Sequence, residues 1–466
     1  MSRLSPCLVA LALITLCSAS PVHAALGWSA HAAEAGAVEG ARWIYADTGR
    51  TASGLHWTAE GQGPAVVLIH AFSLDQRMWE AVAADLSLRY RVIRFDARGH
   101  GETPDPRGPY SSYLDVLEVM DAAEADRAWL IGLSSGSQAA ADVALVAPDR
   151  VMGLVLASPG LSGYAPVGSF EWFQPVGEAL QQGGPAAAAE AWLATPIMDA
   201  GQDPSVREAI AEMVRENAGL WALAANPDQP LTPGAFSRMG EVAAPTLVLT
   251  GERDLVDTRR VGALLGYCLP RAQFEVLPGR GHLLALEDPG WFARRISDFM
   301  SRAGEAGNAP VEIPSGCRAG EDLWGPGSFA AFAGCVGGAW EMDGAVQTLE
   351  WAGGRKGVLA RQYRSDGEQV REVSQLLWTW DSESGVFEGR GVAVGMGIDR
   401  FSLSTRFRGD VMVNDLTAQG PEAPDGVMRE EWRPEGPDRY HWVLLGAGGE
   451  PTMEGPWIRS WTTRVR

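Results

Sequence analysis

The sequence predicts an α/β domain with a mostly parallel sheet and a helical lid, followed by a second, all-β, barrel-like domain. Three observations carry this. The chain has 466 residues, more than one ordinary core accommodates, so two domains are expected. Residues 40–302 alternate short apolar runs with helical stretches, the pattern of crossover units in a parallel sheet. From residue 317 to 466 the pattern becomes short runs rich in Val, Leu, Trp and Phe, separated by turn formers and without helices, which suggests a barrel or sandwich.

Within the first region, residues 41–47 and 53–60 are expected as two leading strands. Val66-Val67-Leu68-Ile69 reads as a buried strand, 76–88 as a helix, and 91–95 as the next strand. Residues 110–126 read as helix, 128–131 as strand, 135–147 as helix and 151–157 as strand. The alternation then stops. Residues from about 160 to 240 hold Trp172, Phe173, Ala-rich helical runs, Trp192 and Trp221, broken by Pro and Gly, and are expected as a helical insertion. It resumes with a strand over 246–250, a helix over 259–267, a strand over 273–277 and a last helix over 289–302. Gly304, Gly307, Asn308, Pro310 and Pro314 mark 303–316 as a linker. Beyond it, strands are expected over 346–351, 357–363, 369–380, 401–407, 427–433, 440–445 and 457–465.

Residues 1–24 have the form of a secretory signal peptide: Arg3, an apolar run from Leu8 to Leu16, and Val22-His23-Ala24 as a small-residue end. The run is too short for a stable membrane anchor, and no later segment has the unbroken apolar length of a span. An exported location, periplasmic or secreted, is therefore expected. Export leaves Cys268, Cys317 and Cys335. An oxidising compartment allows a Cys317–Cys335 disulfide, and three buried thiols are the alternative. The net charge of −20 argues against a nucleic-acid surface, which needs a basic face.

The chemistry concentrates in the first domain. Gly132-Leu133-Ser134-Ser135-Gly136 joins a strand to a helix. A nucleophilic serine must project from a sharp turn, and small residues two positions either side let the backbone bend. Ser134 is weak alone and needs a base. His282, in Pro278-Gly279-Arg280-Gly281-His282-Leu283 after the last strand of this region, lies where a loop reaches the carboxyl edge of the sheet. The base needs an orienting acid. Asp254, in Thr250-Gly251-Glu252-Arg253-Asp254, is the choice; Glu252 and Asp257 compete, with ion pairs to Arg253 or Arg259 as their ordinary fate.

With His70-Ala71-Phe72-Ser73 and Asp96-Ala97-Arg98-Gly99-His100-Gly101-Glu102, these segments resemble the α/β-hydrolase superfamily, in the branch of enol-lactonases, aryl esterases and cofactor-free haloperoxidases. Ala71 departs from the His-Gly pair often found there. The resemblance implies Ser134, Asp254 and His282 as triad, in the family's chain order, and an oxyanion hole from the backbone amides of Phe72 and Ser135. It implies attack of Ser134 on an ester or lactone carbonyl, an acyl-enzyme, and water activated by His282, with no metal or cofactor. The Asp96–Glu102 segment is expected to brace the loops and not to react. Trp172, Phe173, Trp192 and Trp221 either line an acyl pocket or pack the lid onto the body. Two other readings stand beside hydrolysis: peroxide in place of water on the same acyl-enzyme, and an exported ligand-binding protein with an idle hydrolase fold.

The second domain opens Gly334-Cys335-Val336-Gly337-Gly338-Ala339-Trp340-Glu341, and a Gly-x-Trp before a run of strands is similar to lipocalin-like barrels. That similarity implies an apolar ligand in the barrel; a cavity filled by its own side chains is the alternative. His441 has no partner His or Cys cluster and is not read as a metal or haem ligand.

Overall fold

The computed structural model describes residues 47–460 apart from 167–169, 202, 224–226, 306–311, 315–316, 318–327, 335, 337–338, 343–344, 353–355, 366–369, 394–398, 409–410, 422–425, 437–438 and 446–449. The proposed signal segment lies outside the described residues.

Strands β1 (Asp47–Arg50), β2 (His56–Glu60), β3 (Ala65–Ile69), β4 (Arg91–Phe95), β5 (Ala128–Leu133), β6 (Val151–Ala157), β7 (Thr246–Gly251) and β8 (Ala272–Leu277) form one sheet, in the order β1-β2-β4-β3-β5-β6-β7-β8. From β4 to β8 every neighbouring pair is parallel, and only β1–β2 and β2–β4 are antiparallel. The central strands read as near-continuous apolar runs because both faces are covered; all six residues of β5 and of β7 are buried. The helices that cover them are α1 (Glu80–Leu86), α2 (Ser112–Ala122), α3 (Ser135–Val146), α6 (Val256–Cys268), α7 (Leu284–Glu287) and α8 (Pro289–Glu305). Two apolar clusters result, one holding Val67, Leu130, Val143 and Leu264, the other Leu68, Trp79, Ile131 and Phe292. The first leading strand is described over 47–50, paired antiparallel with 56–59; residues 41–46 lie outside the described residues. Helix α8 runs through Glu305, into the stretch expected as linker.

Between β6 and β7 the chain leaves the sheet and builds the lid. It contains α4 (Gln174–Leu193), interrupted at Gly184 and Pro185, and α5 (Pro204–Glu216), with short 3-10 turns around them.

The second domain is a closed antiparallel barrel of ten strands: β9 (Ala339–Met342), β10 (Ala345–Ala352), β11 (Gly357–Ser365), β12 (Val370–Asp381), β13 (Val386–Ala393), β14 (Arg400–Arg408), β15 (Val411–Gln419), β16 (Met428–Gly436), β17 (Arg439–Leu445) and β18 (Pro451–Ser460). Each strand pairs with its sequence neighbours, and β9 closes the ring by pairing with β18. Alternation sends Trp378, Phe387, Leu403, Met412 and Trp432 inward to a core centred on Phe332. A polar line crosses that interior: Trp378 Nε1 donates to Thr405 Oγ1 at 2.8 Å, which donates to Asn414 Oδ1, and Asn414 Nδ2 donates to Glu430 Oε1 at 2.6 Å.

The two domains share one apolar cluster. Trp351 of β10 donates its indole N–H to the carbonyl of Ala263 in α6 and packs its ring on Tyr267, centroids 5.1 Å apart. Cys317 is bonded to Cys268 at the end of α6, with Cα atoms 5.3 Å apart. This corrects the Cys317–Cys335 pairing: 317 lies beside α6, its carbonyl accepting from Gly240 N at 2.9 Å, and Cys335 is outside the described residues.

Candidate active site

The turn between β5 and α3 places Ser134 at φ 58°, ψ −115°, a strained conformation for a side-chain-bearing residue. Two glycines make it possible. A Cβ on Gly132 would lie 2.3 Å from the backbone of Gly136, and one on Gly136 would lie 2.2 Å from the carbonyl oxygen of Ile69. The helix therefore begins pressed against β3 and β5, with no space for a side chain at either position. Ser134 is half-buried, Ser135 exposed, and α3 starts directly behind them, so the helix's first amides face the serine.

His282 and Asp254 come together from the loops after β8 and β7. Nδ1 of His282 lies 2.7 Å from Oδ1 of Asp254, which also accepts from Leu255 N at 2.6 Å, and both residues are buried. This bond assigns the proton to Nδ1 and leaves Nε2 as the basic nitrogen. Nε2 is buried with no protein partner among the described residues, and no hydrogen bond joins it to Ser134. The serine and the histidine loop are nonetheless tied through two consecutive residues. Ser134 N donates to the carbonyl of Ala157, and the next residue, Ser158, donates its hydroxyl to the carbonyl of His282 at 2.7 Å. Bonds between catalytic groups often tighten only when substrate arrives.

The histidine loop is pinned by two buried carboxylates. Glu252 Oε2 accepts from Gly279 N at 2.6 Å, and Glu287 Oε1 accepts from Gly281 N at 2.8 Å. Burial raises the Glu287 carboxyl above its ordinary value, against the pull of the Gly281 amide and the nearby arginines. Of the two competitors to Asp254, Glu252 braces this loop and Asp257 accepts the hydroxyl of Tyr164 at 2.8 Å.

The loop after β3 brings backbone amides near the elbow. The N–H groups of Ala71, Ser73 and Leu74 are taken by Met78 Sδ, His100 Nε2 and Ala71 O. No acceptor for Phe72 N is found among the described residues. Asp96 receives Gln76 N, Gln76 Nε2 and Glu102 N and lies 3.2 Å from His56 Nδ1, so it ties strand, loop and helix together. His100 is held neutral, its pKa pushed down to about 3 by burial and the adjacent His70, which keeps Nε2 an acceptor.

The lid aromatics form one cluster. Trp192 contacts Trp172, Phe173 and Trp221 at centroid distances of 6.1, 6.1 and 5.7 Å. Phe72 stands edge-on to Trp192 and Trp221 at 5.9 and 5.4 Å. These are packing geometries, and they seat the lid on the loop that carries Phe72. Two bracing residues, Ser158 and Asn217, gave no sequence cue beyond being polar residues beside apolar runs. Among the described residues no group of three His, Cys, Asp or Glu is placed to hold a metal.

A serine at a strand–helix elbow, an Asp–His pair from the ends of β7 and β8, and a helical lid before them define an α/β-hydrolase domain. Residues 66–295 match the alpha/beta hydrolase family, and this domain belongs to it. Similar proteins include one of Bacillus subtilis named as a 2-succinyl-6-hydroxy-2,4-cyclohexadiene-1-carboxylate synthase, 27% identical over 275 residues, 56% of this chain and 96% of that one. Another is 3-oxoadipate enol-lactonase 1 of Acinetobacter baylyi, 25% identical over 244 residues, 51% of this chain and 88% of the relative. Among solved structures, a thermophilic esterase from Thermogutta terrifontis is 26% identical, covers 56% of this chain and 99% of its own, and superposes with a TM-score of 0.46.

Proposed function

We propose that this protein is an exported serine hydrolase that cleaves a carboxylic ester or lactone. The observation that carries the reading is the buried 2.7 Å Asp254–His282 bond, linked through Ala157 and Ser158 to a serine on a glycine-flanked elbow. Ser134 Oγ attacks the substrate carbonyl carbon while His282 Nε2 takes its proton. Asp254 holds the imidazole and stabilises the positive charge that forms on it. The carbonyl oxygen, now negative, receives the N–H groups of Phe72 and Ser135. Collapse breaks the bond to the alkoxy oxygen, which leaves with the proton from His282. Water then attacks the acyl-enzyme by the same route and frees the acid and Ser134. Similarity to an enol-lactonase supports ester chemistry. Perhydrolysis would use the same acyl-enzyme with peroxide as its nucleophile.

Export is proposed from residues 1–24, and the Cys268–Cys317 disulfide supports it, since such bonds persist in oxidising compartments. An apolar ligand of the barrel is proposed from the Gly338-Ala339-Trp340 start of its run of strands.

The test is hydrolysis of p-nitrophenyl esters from acetate to decanoate by the mature protein and by Ser134→Ala. Loss of activity in the variant, by a factor on the order of 10⁴ or more, is the expected result. Turnover that persists in Ser134→Ala would overturn the assignment. Peroxide-dependent oxidation exceeding hydrolysis would favour perhydrolysis.

A further inference from the structure

Ser73 follows Phe72 in the loop after β3, and all of its polar groups are committed. Its N–H donates to His100 Nε2 at 3.2 Å, its carbonyl accepts from Asn217 Nδ2 at 3.2 Å, and its hydroxyl accepts the indole N–H of Trp192 at 2.8 Å. Trp192 lies near the end of α4 and Asn217 directly follows α5, so two of these three bonds come from the lid. Ser73 is 1% exposed and sits at φ +68°, a left-handed conformation that is unfavourable for a non-glycine residue and persists only when its surroundings enforce it. Glycine would adopt that backbone without cost but would leave the Trp192 N–H buried and unpaired.

Asn217 extends the clamp. Its Oδ1 accepts from Gly101 N at 2.9 Å, so a single lid side chain grips both the loop after β3 and the loop after β4. The ring of Phe72 stands edge-on against Trp192 and Trp221, which also contact each other. Phe72, whose amide has no acceptor among the described residues, is thus held on one side by rings and on the other by a left-handed neighbour bonded through its N–H, its carbonyl and its hydroxyl oxygen.

We propose that Ser73 is a positioning residue through which the lid, by way of Trp192 and Asn217, aims the Phe72 amide at the developing oxyanion. The inference rests on the serine-hydrolase reading above. It makes the oxyanion hole conditional on a seated lid. If Trp192 and Asn217 release Ser73, the loop relaxes from its strained backbone and the amide turns away. A donor displaced by about an ångström loses much of its effect on the transition state while substrate still binds.

Trp192→Phe and Ser73→Ala remove the same hydrogen bond from opposite ends; the first keeps an aromatic ring and the second keeps both backbone bonds. The readout is the rate at which a fluorophosphonate labels Ser134 in the full-length protein, with kcat and KM for a p-nitrophenyl ester beside it. Each single variant should slow labelling and kcat by roughly tenfold, with KM within about twofold of wild type. The double variant should be no slower than either single one. Unchanged labelling in both single variants, losses that multiply in the double variant, or a raised KM with intact kcat would overturn the proposal, the last by making Trp192 a pocket wall. If the wild type is not labelled at Ser134, the hydrolase reading itself fails. If it is labelled and the variants match it, only the clamp fails. Thermal unfolding of Ser73→Ala close to wild type shows that its slowed labelling reflects aim and not folding.

Discussion

The disulfide between Cys268 and Cys317 supports a quantitative prediction. The perturbation is the double replacement Cys268→Ala and Cys317→Ala. The bridge spans 49 residues of sequence, and cross-linking a loop of that length removes entropy from the unfolded chain equivalent to about 4 kcal/mol at 25 °C. Both cysteines are buried in the cluster that runs from α6 into the barrel, and alanine in their place removes two sulfur atoms from that packing. The double variant should therefore be less stable by about 4 kcal/mol, within the range of about 0–5 kcal/mol known for such bonds. The assay is urea unfolding followed by tryptophan fluorescence, without and with reductant. Wild type in reductant should approach the variant, and the variant should ignore reductant. Because the barrel and α6 share a core, loss of the barrel signal and of the α6 signal should coincide. A difference below about 1 kcal/mol between oxidised wild type and variant would refute the loop-entropy reasoning. Mapping of the oxidised protein that finds Cys335 bonded would refute the pairing.

Gly136→Ala should lower thermal stability by roughly 3 kcal/mol and esterase kcat by about 100-fold, because its Cβ would meet the carbonyl oxygens of Ile69 and His70 at 2.2 and 2.8 Å, both rigid backbone; a fully active, equally stable variant would contradict this. Asp142 is buried on α3, accepts the hydroxyl of Ser162, and is pushed up to about 6 by burial. Its folded value exceeds the unfolded one near 3.8, so the folded state holds its proton longer: stability is greatest below pH 4 as far as this group goes, and falls as pH rises through 6. Asp142→Asn keeps the acceptor and removes the titration, so relative to wild type it should gain up to about 3 kcal/mol between pH 4 and pH 7; parallel stability–pH curves from urea titrations would rule out this account.

Much of the hydrolase domain was legible because its signals are local. Strands β3, β5, β6 and β7 are buried almost throughout and so read as plain apolar runs, and the candidate elbow, acid and base occur in short segments with characteristic glycines. In the barrel, three strands escaped. Val386–Ala393 is broken by Gly389 and Gly391, which read as turn formers yet lie where a Cβ would strike Trp378 and Phe401. Val411–Gln419 holds Asn414 and Asp415, turn formers in sequence, but Asn414 is fully buried and paired with Thr405 and Glu430. Ala339–Met342 is short and is defined by partners on both sides. The disulfide partner and the Ser73 clamp depend on which loops meet across the fold, and no spacing encodes them.

The strand that closes the barrel has a consequence in time. Strand β9 is the first of the ten and the shortest, at four residues, and its second partner is β18, the last. Glu341 pairs with Ile458, 117 residues further along the chain. The other nine pairings join sequence neighbours and can form as the chain emerges. Closure waits for the final segment, and until then β9 and the growing edge both present unpaired backbone. A chain cut short before residue 451 would leave an open, sticky sheet in place of a barrel, so the last ten residues of the described fold govern whether this domain folds or self-associates.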